Sequence, residues 1–353
     1  MTTKTRYFVI VSLLVMFVGL GTGLVAYYVG FPANAFFNRN TPEELRYLPG
    51  NAGLVAYADV REIMASDLRQ RLRQAFGAEV QDNSRRQFQD LTGINFETDI
   101  ERIVACFDPG GTTGGNGLVI ARGVFDAVKI EALMREHGAQ VQDYKGKRLI
   151  VAPHFAENDF DKFGNNSNEP RPSPTSPPTT LALTFVEPGL VAFGSSSLVQ
   201  RAIDLHIGGG ESAATNDELV SHVRDLEGGN AWVVGRLDVL KGTAKLPEVV
   251  ANQLPPITWF GLRGHIDGGF QARVTAEAKD DESANMLRDV VRGFLALAKL
   301  QTSAKPEFQH FVQSLQLGGT GKTVSLSLDV PAQVFDAIGA AIPKPPAPSQ
   351  TPQ

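Results

Sequence analysis

From Phe8 to Val29 the chain runs 22 residues without a charged side chain. At ~1.5 Å rise per residue such a run makes roughly 33 Å of helix, enough to cross a hydrocarbon core of ~30 Å. Tyr7 stands at one end and Tyr27, Tyr28 and Phe31 at the other, where interfacial aromatics belong. Lys4 and Arg6 precede the run, which places the short N-terminus in the cytoplasm and the bulk of the chain outside, although Arg39 and Arg46 reduce the asymmetry. The competing reading is a secretory signal cleaved at Ala33-Asn34-Ala35. Signal cores usually span only ~7–15 apolar residues, so an uncleaved anchor is the better expectation. Either way the remainder is exported. Gly19 and Gly23 have the spacing that lets two membrane helices approach closely, which raises a homodimer contact; glycine is also simply common in such helices.

The chain as a whole has ordinary globular composition, with 42% hydrophobic and 20% charged residues. Its formal net charge of -5 argues against nucleic-acid binding, which needs a basic surface. A single cysteine, Cys106, excludes an intrachain disulfide framework and a multi-thiolate metal site.

Composition along the chain divides it into a stub and membrane helix (residues 1–30), a polar linker (31–47), two folded regions (48–205 and 206–342) and a Pro-rich tail (343–353). An Asn- and Pro-rich excursion, 154–178, interrupts the first region. An internal echo supports the division. Asn51 opens NAGLVAYADV and Asn230 opens NAWVVGRLDV, each a short apolar strand ending at an aspartate suited to cap a helix. A second strand, a glycine-rich turn, a third strand, an amphipathic helix and a Gly-Lys hairpin (Gly146-Lys147, Gly321-Lys322) follow each copy. The expected fold is α+β: an N-terminal transmembrane helix, then two similar, largely antiparallel sheet-plus-helix modules with helices on one face. The spacing predicts helices over Val60–Phe76, Asp126–His137, Ser195–Ile207 and Asp280–Leu300. The last carries one apolar face of Leu287, Val290, Val291, Phe294, Leu297 and Ala298.

Motifs that carry chemistry are incomplete. Gly318-Gly319-Thr320-Gly321-Lys322-Thr323 resembles the end of a phosphate-binding loop, but Gln316 stands where its first glycine belongs and a strand pattern follows instead of a helix. The glycine-rich stretch Asp108–Gly117 lacks dinucleotide-binding spacing. Gly194-Ser195-Ser196-Ser197 has the strand-to-helix setting of a nucleophile elbow, with Leu198 replacing its second glycine, so capping is the expected role. Asp159 and Asp161 precede Gly164 as in a calcium loop, yet Phe163 and Pro170 occupy ligand positions. His137, His154, His206, His222, His265 and His310 form no pair at ligand spacing, and His137 and His206 fall in last helical turns. Glu43-Glu44, Asp225-Glu227 and Asp280-Asp281-Glu282 read as solvated caps and faces; a catalytic pair would have to be assembled by the fold. No catalytic, cofactor or metal residue is assigned.

Leu48-Pro49-Gly50-Asn51-Ala52, Thr92-Gly93-Ile94-Asn95 and Asp99-Ile100 resemble a group of uncharacterised bacterial single-pass envelope proteins whose ectodomain opens with Leu-Pro-x-x-Ala. The resemblance spans roughly residues 45 to 340 and marks strand and helix junctions. It implies export and anchoring in the cell membrane, with the bulk extracytoplasmic (periplasmic), and no catalytic residue. The resulting expectation is a non-catalytic binding or interaction protein whose partner is another envelope protein or a lipid. An exported hydrolase with a site assembled only in the fold, and a hydrophobic-ligand carrier, stay open beside it.

Overall fold

The computed structural model describes residues 42–69, 71, 89, 93–95, 97–108, 116–152, 180–237, 255–302 and 312–331. The run Phe8–Val29, Gly19 and Gly23, Ala33-Asn34-Ala35, the excursion 154–178 with Asp159 and Asp161, and the tail lie outside these residues. Among the described residues no helix is long and apolar enough to cross a membrane.

Among the described residues twelve strands join in a single antiparallel sheet: β1 (Leu54–Asp59), β2 (Ile100–Asp108), β3 (Asn116–Gly123), β4 (Gln140–Tyr144), β5 (Lys147–Ala152), β6 (Leu181–Glu187), β7 (Leu190–Ser195), β8 (Ala231–Arg236), β9 (Ile257–Ile266), β10 (Gly269–Ala278), β11 (Gln316–Gly318) and β12 (Thr323–Pro331). Their order across the sheet is β11-β12-β10-β9-β8-β1-β2-β3-β7-β6-β5-β4.

This corrects the expectation of two similar modules. The two echo strands are neighbours at the centre, and Val55 lies opposite Val234, each the fifth residue of its echo segment. Two separate modules would each have left a central apolar strand as a bare edge with unpaired N–H and C=O groups. Pairing β1 with β8 removes both edges. The halves also differ beyond their first three strands: β12 packs directly on β10, whereas β7 and β6 separate β5 from β3. The helix α3 (Ser196–Gly208) runs through the 205/206 division read from composition.

Helices lie on both faces, not one. On the front, α3 and α4 (Asp217–Arg224), with 3-10 helices at Glu43–Tyr47 and Ala213–Thr215, cover Val55, Val104, Leu118, Ile120, Ala192 and Val234. On the back, α1 (Val60–Ala65) and α2 (Ala127–Glu136) cover Ala58, Ile103, Ala121, Ile150 and Val191. A third cluster seats α5 (Asp281–Thr302) on the back of β10, β11 and β12 through Ala284 and Leu287. The central strands are therefore apolar on both sides, as LVAYAD and AWVVGR are. In β10 and β12 the residues alternate: Gln271, Arg273 and Thr275 pair with Asp329, Ser327 and Ser325 on the front, while Ala272, Val274 and Ala276 pair with Leu328, Leu326 and Val324 on the back. That half of the front carries no helix among the described residues.

Caps hold the helix starts where the sequence places them. Asp59 Oδ1 accepts the Glu62 N–H at 2.9 Å, Asp126 Oδ1 the Lys129 N–H at 3.0 Å, and Asp280 Oδ1 the Ser283 N–H at 2.8 Å. The expected helix Val60–Phe76 breaks at Ser66, whose hydroxyl donates to the Ile63 carbonyl at 2.5 Å while its backbone turns extended. The Leu-Pro-x-x-Ala segment is a junction. The Ala213 N–H donates to the Leu48 carbonyl, Pro49 bridges Ser212, and the Asn216 amide donates to the Gly50 carbonyl at 2.8 Å.

Candidate functional site

Two regions gather polar chemistry. The first is one end of the sheet. Asp59, Arg102, Arg122, Leu190 and Glu187 stand opposite one another in successive strands, forming a cross-strand row. Glu44 reaches into this row from the 3-10 helix above it and is 1% exposed. One of its oxygens accepts from Arg122 Nε and lies 3.8 Å from Arg102 Nη2. The other is buried with no hydrogen-bond partner. Glu187 sits 3.5 Å from Arg122 and 3.6 Å from Arg46, whose guanidinium donates to the Tyr47 hydroxyl at 2.6 Å. Burial works against the charge on Arg122, but Glu44 and Glu187 more than offset it and raise its pKa.

Next to this row, burial raises the pKa of Asp59; burial and then the Asp59 charge raise that of Glu62. Tyr57 is pushed up as well, by burial first and by Asp59 second. A carboxylate pair held toward its neutral form is the raw material of acid–base catalysis. Here, however, Asp59 is committed to capping α1. Among the described residues no group of three His, Cys, Asp or Glu side chains could hold a metal ion.

The second region is a groove of about 400 Å³ between α5 and the β11–β12 hairpin. Arg288, Arg292 and Lys299 line it from the helix, at spacings that place them on one helical face. Leu295, Ala296 and Leu317 give it apolar surface, and Gly318 and Gly319 form the facing wall. Gly318-Gly319-Thr320-Gly321-Lys322-Thr323 is thus a hairpin turn, as its strand-like continuation indicated. Gly319 has φ +95, and a Cβ there would lie 2.3 Å from the Thr323 carbonyl oxygen. Arg288 is tied to this turn, donating to the carbonyls of Gly321 at 2.6 Å and Thr323 at 3.0 Å and to Asn285 Oδ1 at 2.9 Å.

The structure disperses the other sequence candidates. Ser195 is the N-cap residue of α3, but its hydroxyl is buried without a hydrogen-bond partner, so no base activates it and it makes no cap bond. His206 lies in the last turn of α3, and His137 at the end of α2 contacts the Leu133 carbonyl at 2.9 Å. His222 packs on Trp259 with centroids 4.5 Å apart. His265 Nδ1 is buried and unpaired. Asp280 and Asp225 cap helix ends. Glu44, read from sequence as a solvated face, is instead a buried charge; its only sequence signal is its place between Pro42 and the apolar Leu45, Tyr47 and Leu48.

Cys106 is buried in β2. Burial, with the Asp108 charge adding, pushes its thiol up to about 12 from 9.0. A thiol kept neutral in the fold and ionised in the unfolded chain costs stability as pH rises between those values. Between pH 8 and 10.5, urea unfolding of the wild type is expected to lose roughly 2 kcal/mol more than that of Cys106→Ala. Parallel pH slopes for the two proteins would contradict this.

No protein-family model, curated protein or solved structure matches this chain.

Proposed function

We propose that this chain is a membrane-anchored, extracytoplasmic binding protein of the cell envelope that works without catalysis. The observation that carries the reading is the groove between α5 and the β11–β12 hairpin. It is open, partly apolar and cation-lined, with Arg288, Arg292 and Lys299 beside Leu295 and Leu317 among the described residues. Such a site is suited to holding a ligand by charge and contact. The anchor reading rests on the uncharged run Phe8–Val29 and on the charges that precede it. On the side of a hydrolase stand Asp59 and Glu62 with their raised pKa values, but one of the two is spent on a helix cap.

Native mass spectrometry of the full-length chain, extracted gently from its own membranes, tests the reading. The expected spectrum shows the uncleaved mass plus a defined added mass of lipid or protein. A bare chain under the mildest extraction would sink the stable-binding reading, and a mass lacking the first 35 residues would replace the anchor with a cleaved signal. A dimer would implicate Gly19 and Gly23.

A further inference from the structure

We propose that the groove between α5 and the β11–β12 hairpin is a binding site for a phosphate-bearing, partly apolar anion. The proposal rests on the binding reading above and names the ligand class. Arg288 is already oriented, because its guanidinium bonds end on uncharged acceptors: two backbone carbonyls and the Asn285 amide oxygen. Its charge is therefore fixed in place and not neutralised. Arg292 pairs with Asp289 at 2.8 Å, yet the two side chains are 64% and 75% exposed, and such a pair exchanges for a better anion at little cost. Lys299 lies two turns further along the same face.

Facing these three cations is a wall without side chains, the backbone of Gly318 and Gly319, so an anion can approach closely. A tetrahedral phosphate accepts from several directions at once, which suits Arg288 and Arg292, one turn apart, and matches the preference of guanidinium for bidentate oxygens, while Lys299 adds positive charge further along the groove. Leu295 and Leu317 beside the cations favour a ligand whose phosphate is attached to an apolar body.

The chemistry fits either a free phosphate group or the headgroup of an anionic lipid, and titration calorimetry of the full-length chain in neutral detergent separates them. The probes are inorganic phosphate, dihexanoyl phosphatidylglycerol and, as a neutral control, dihexanoyl phosphatidylcholine. Saturable binding of one or both anionic probes is expected, weakening with added salt. Arg292→Gln combined with Lys299→Gln should weaken it by at least about tenfold, since two of the three cations lining the groove are removed. Arg135→Gln, on a distant exposed helix, should leave it unchanged. Both substituted groove residues are exposed, so an unaltered melting temperature separates lost binding from lost folding. Tighter binding of the phosphatidylglycerol than of phosphate assigns the site to a headgroup; equal affinities assign it to the phosphate alone. Binding of neither anion, equal binding by the double variant, or equal binding of the neutral lipid overturns the proposal. A partner retained in the native mass spectrum would still support the broader binding reading.

Discussion

Gly194→Ala is expected to destabilise the fold by about 3 kcal/mol or more, lowering the thermal midpoint of the purified full-length chain followed by far-ultraviolet circular dichroism. Gly194 sits in β7 between Leu118 of β3 and Ala182 of β6, inside the sheet. Its φ of +156 is one that side chains rarely adopt, and a Cβ there would stand 2.2 Å from the Gly117 carbonyl oxygen and 2.9 Å from the Leu118 Cα. Those neighbours are backbone, so the clash can be relieved only by separating strands that are hydrogen-bonded along their length. Gly208→Ala is the matching control. A Cβ at Gly208, the last residue of α3, meets nothing within 4 Å, and alanine should be neutral or stabilise by up to about 1 kcal/mol. Equal effects of the two substitutions would refute the close-approach argument.

Glu44→Ala should destabilise by about 3 kcal/mol, because removing one member of a buried charge cluster strands its partners. Arg122 keeps Glu187 at 3.5 Å, but Arg102 loses the carboxylate that lies nearest it. Glu44→Gln keeps the volume and tests the charge alone; it should fall between the wild type and the alanine variant. The neighbouring Glu43 is exposed, and Glu43→Gln should change stability by less than about 0.5 kcal/mol. The measurement is guanidinium unfolding of the three variants side by side. No loss for Glu44→Ala would mean that Glu44 contributes nothing net. The result also bears on where the folded unit starts. Leu45, Tyr47 and Leu48 are buried in the front core with Glu44, so the stretch read from composition as the end of a linker is part of the fold.

Local order was legible. Caps at Asp59, Asp126 and Asp280, the hairpin at Pro188-Gly189 between β6 and β7, and the strand character of the segment after Gly321-Lys322 all follow from short-range rules about side-chain oxygens, φ angles and alternation. The alternation in GFQARVTAEA and TVSLSLDVP is that of a sheet with one polar face, whereas the cover on both sides of LVAYAD and AWVVGR departs from the expectation of helices on one face.

The apolar face expected on α5 was only half right. Leu287 is buried and Val290, Val291 and Ala298 are half-buried, but Phe294 and Leu297 are 38% and 49% exposed. A periodic stripe shows that a helix has an apolar face; the extent of sheet beneath it decides how much of that face is covered.

What the sequence by itself determined was most of the strands, the starts of α1, α2 and α5 and the hairpin turns, because capping and alternation act over a few residues. It also carried the uncharged run Phe8–Val29, since span length is a property of consecutive residues. Only the tertiary structure decided that the two echo segments pair with each other, that Glu44 enters a row of arginines, and that Arg288, Arg292 and Lys299 face Gly318 and Gly319 across a groove. Those contacts join residues up to 181 positions apart, as with Leu54 and Gly235. Nothing local encodes such a pairing: it is selected by the whole chain burying its apolar surface and leaving no backbone edge unpaired.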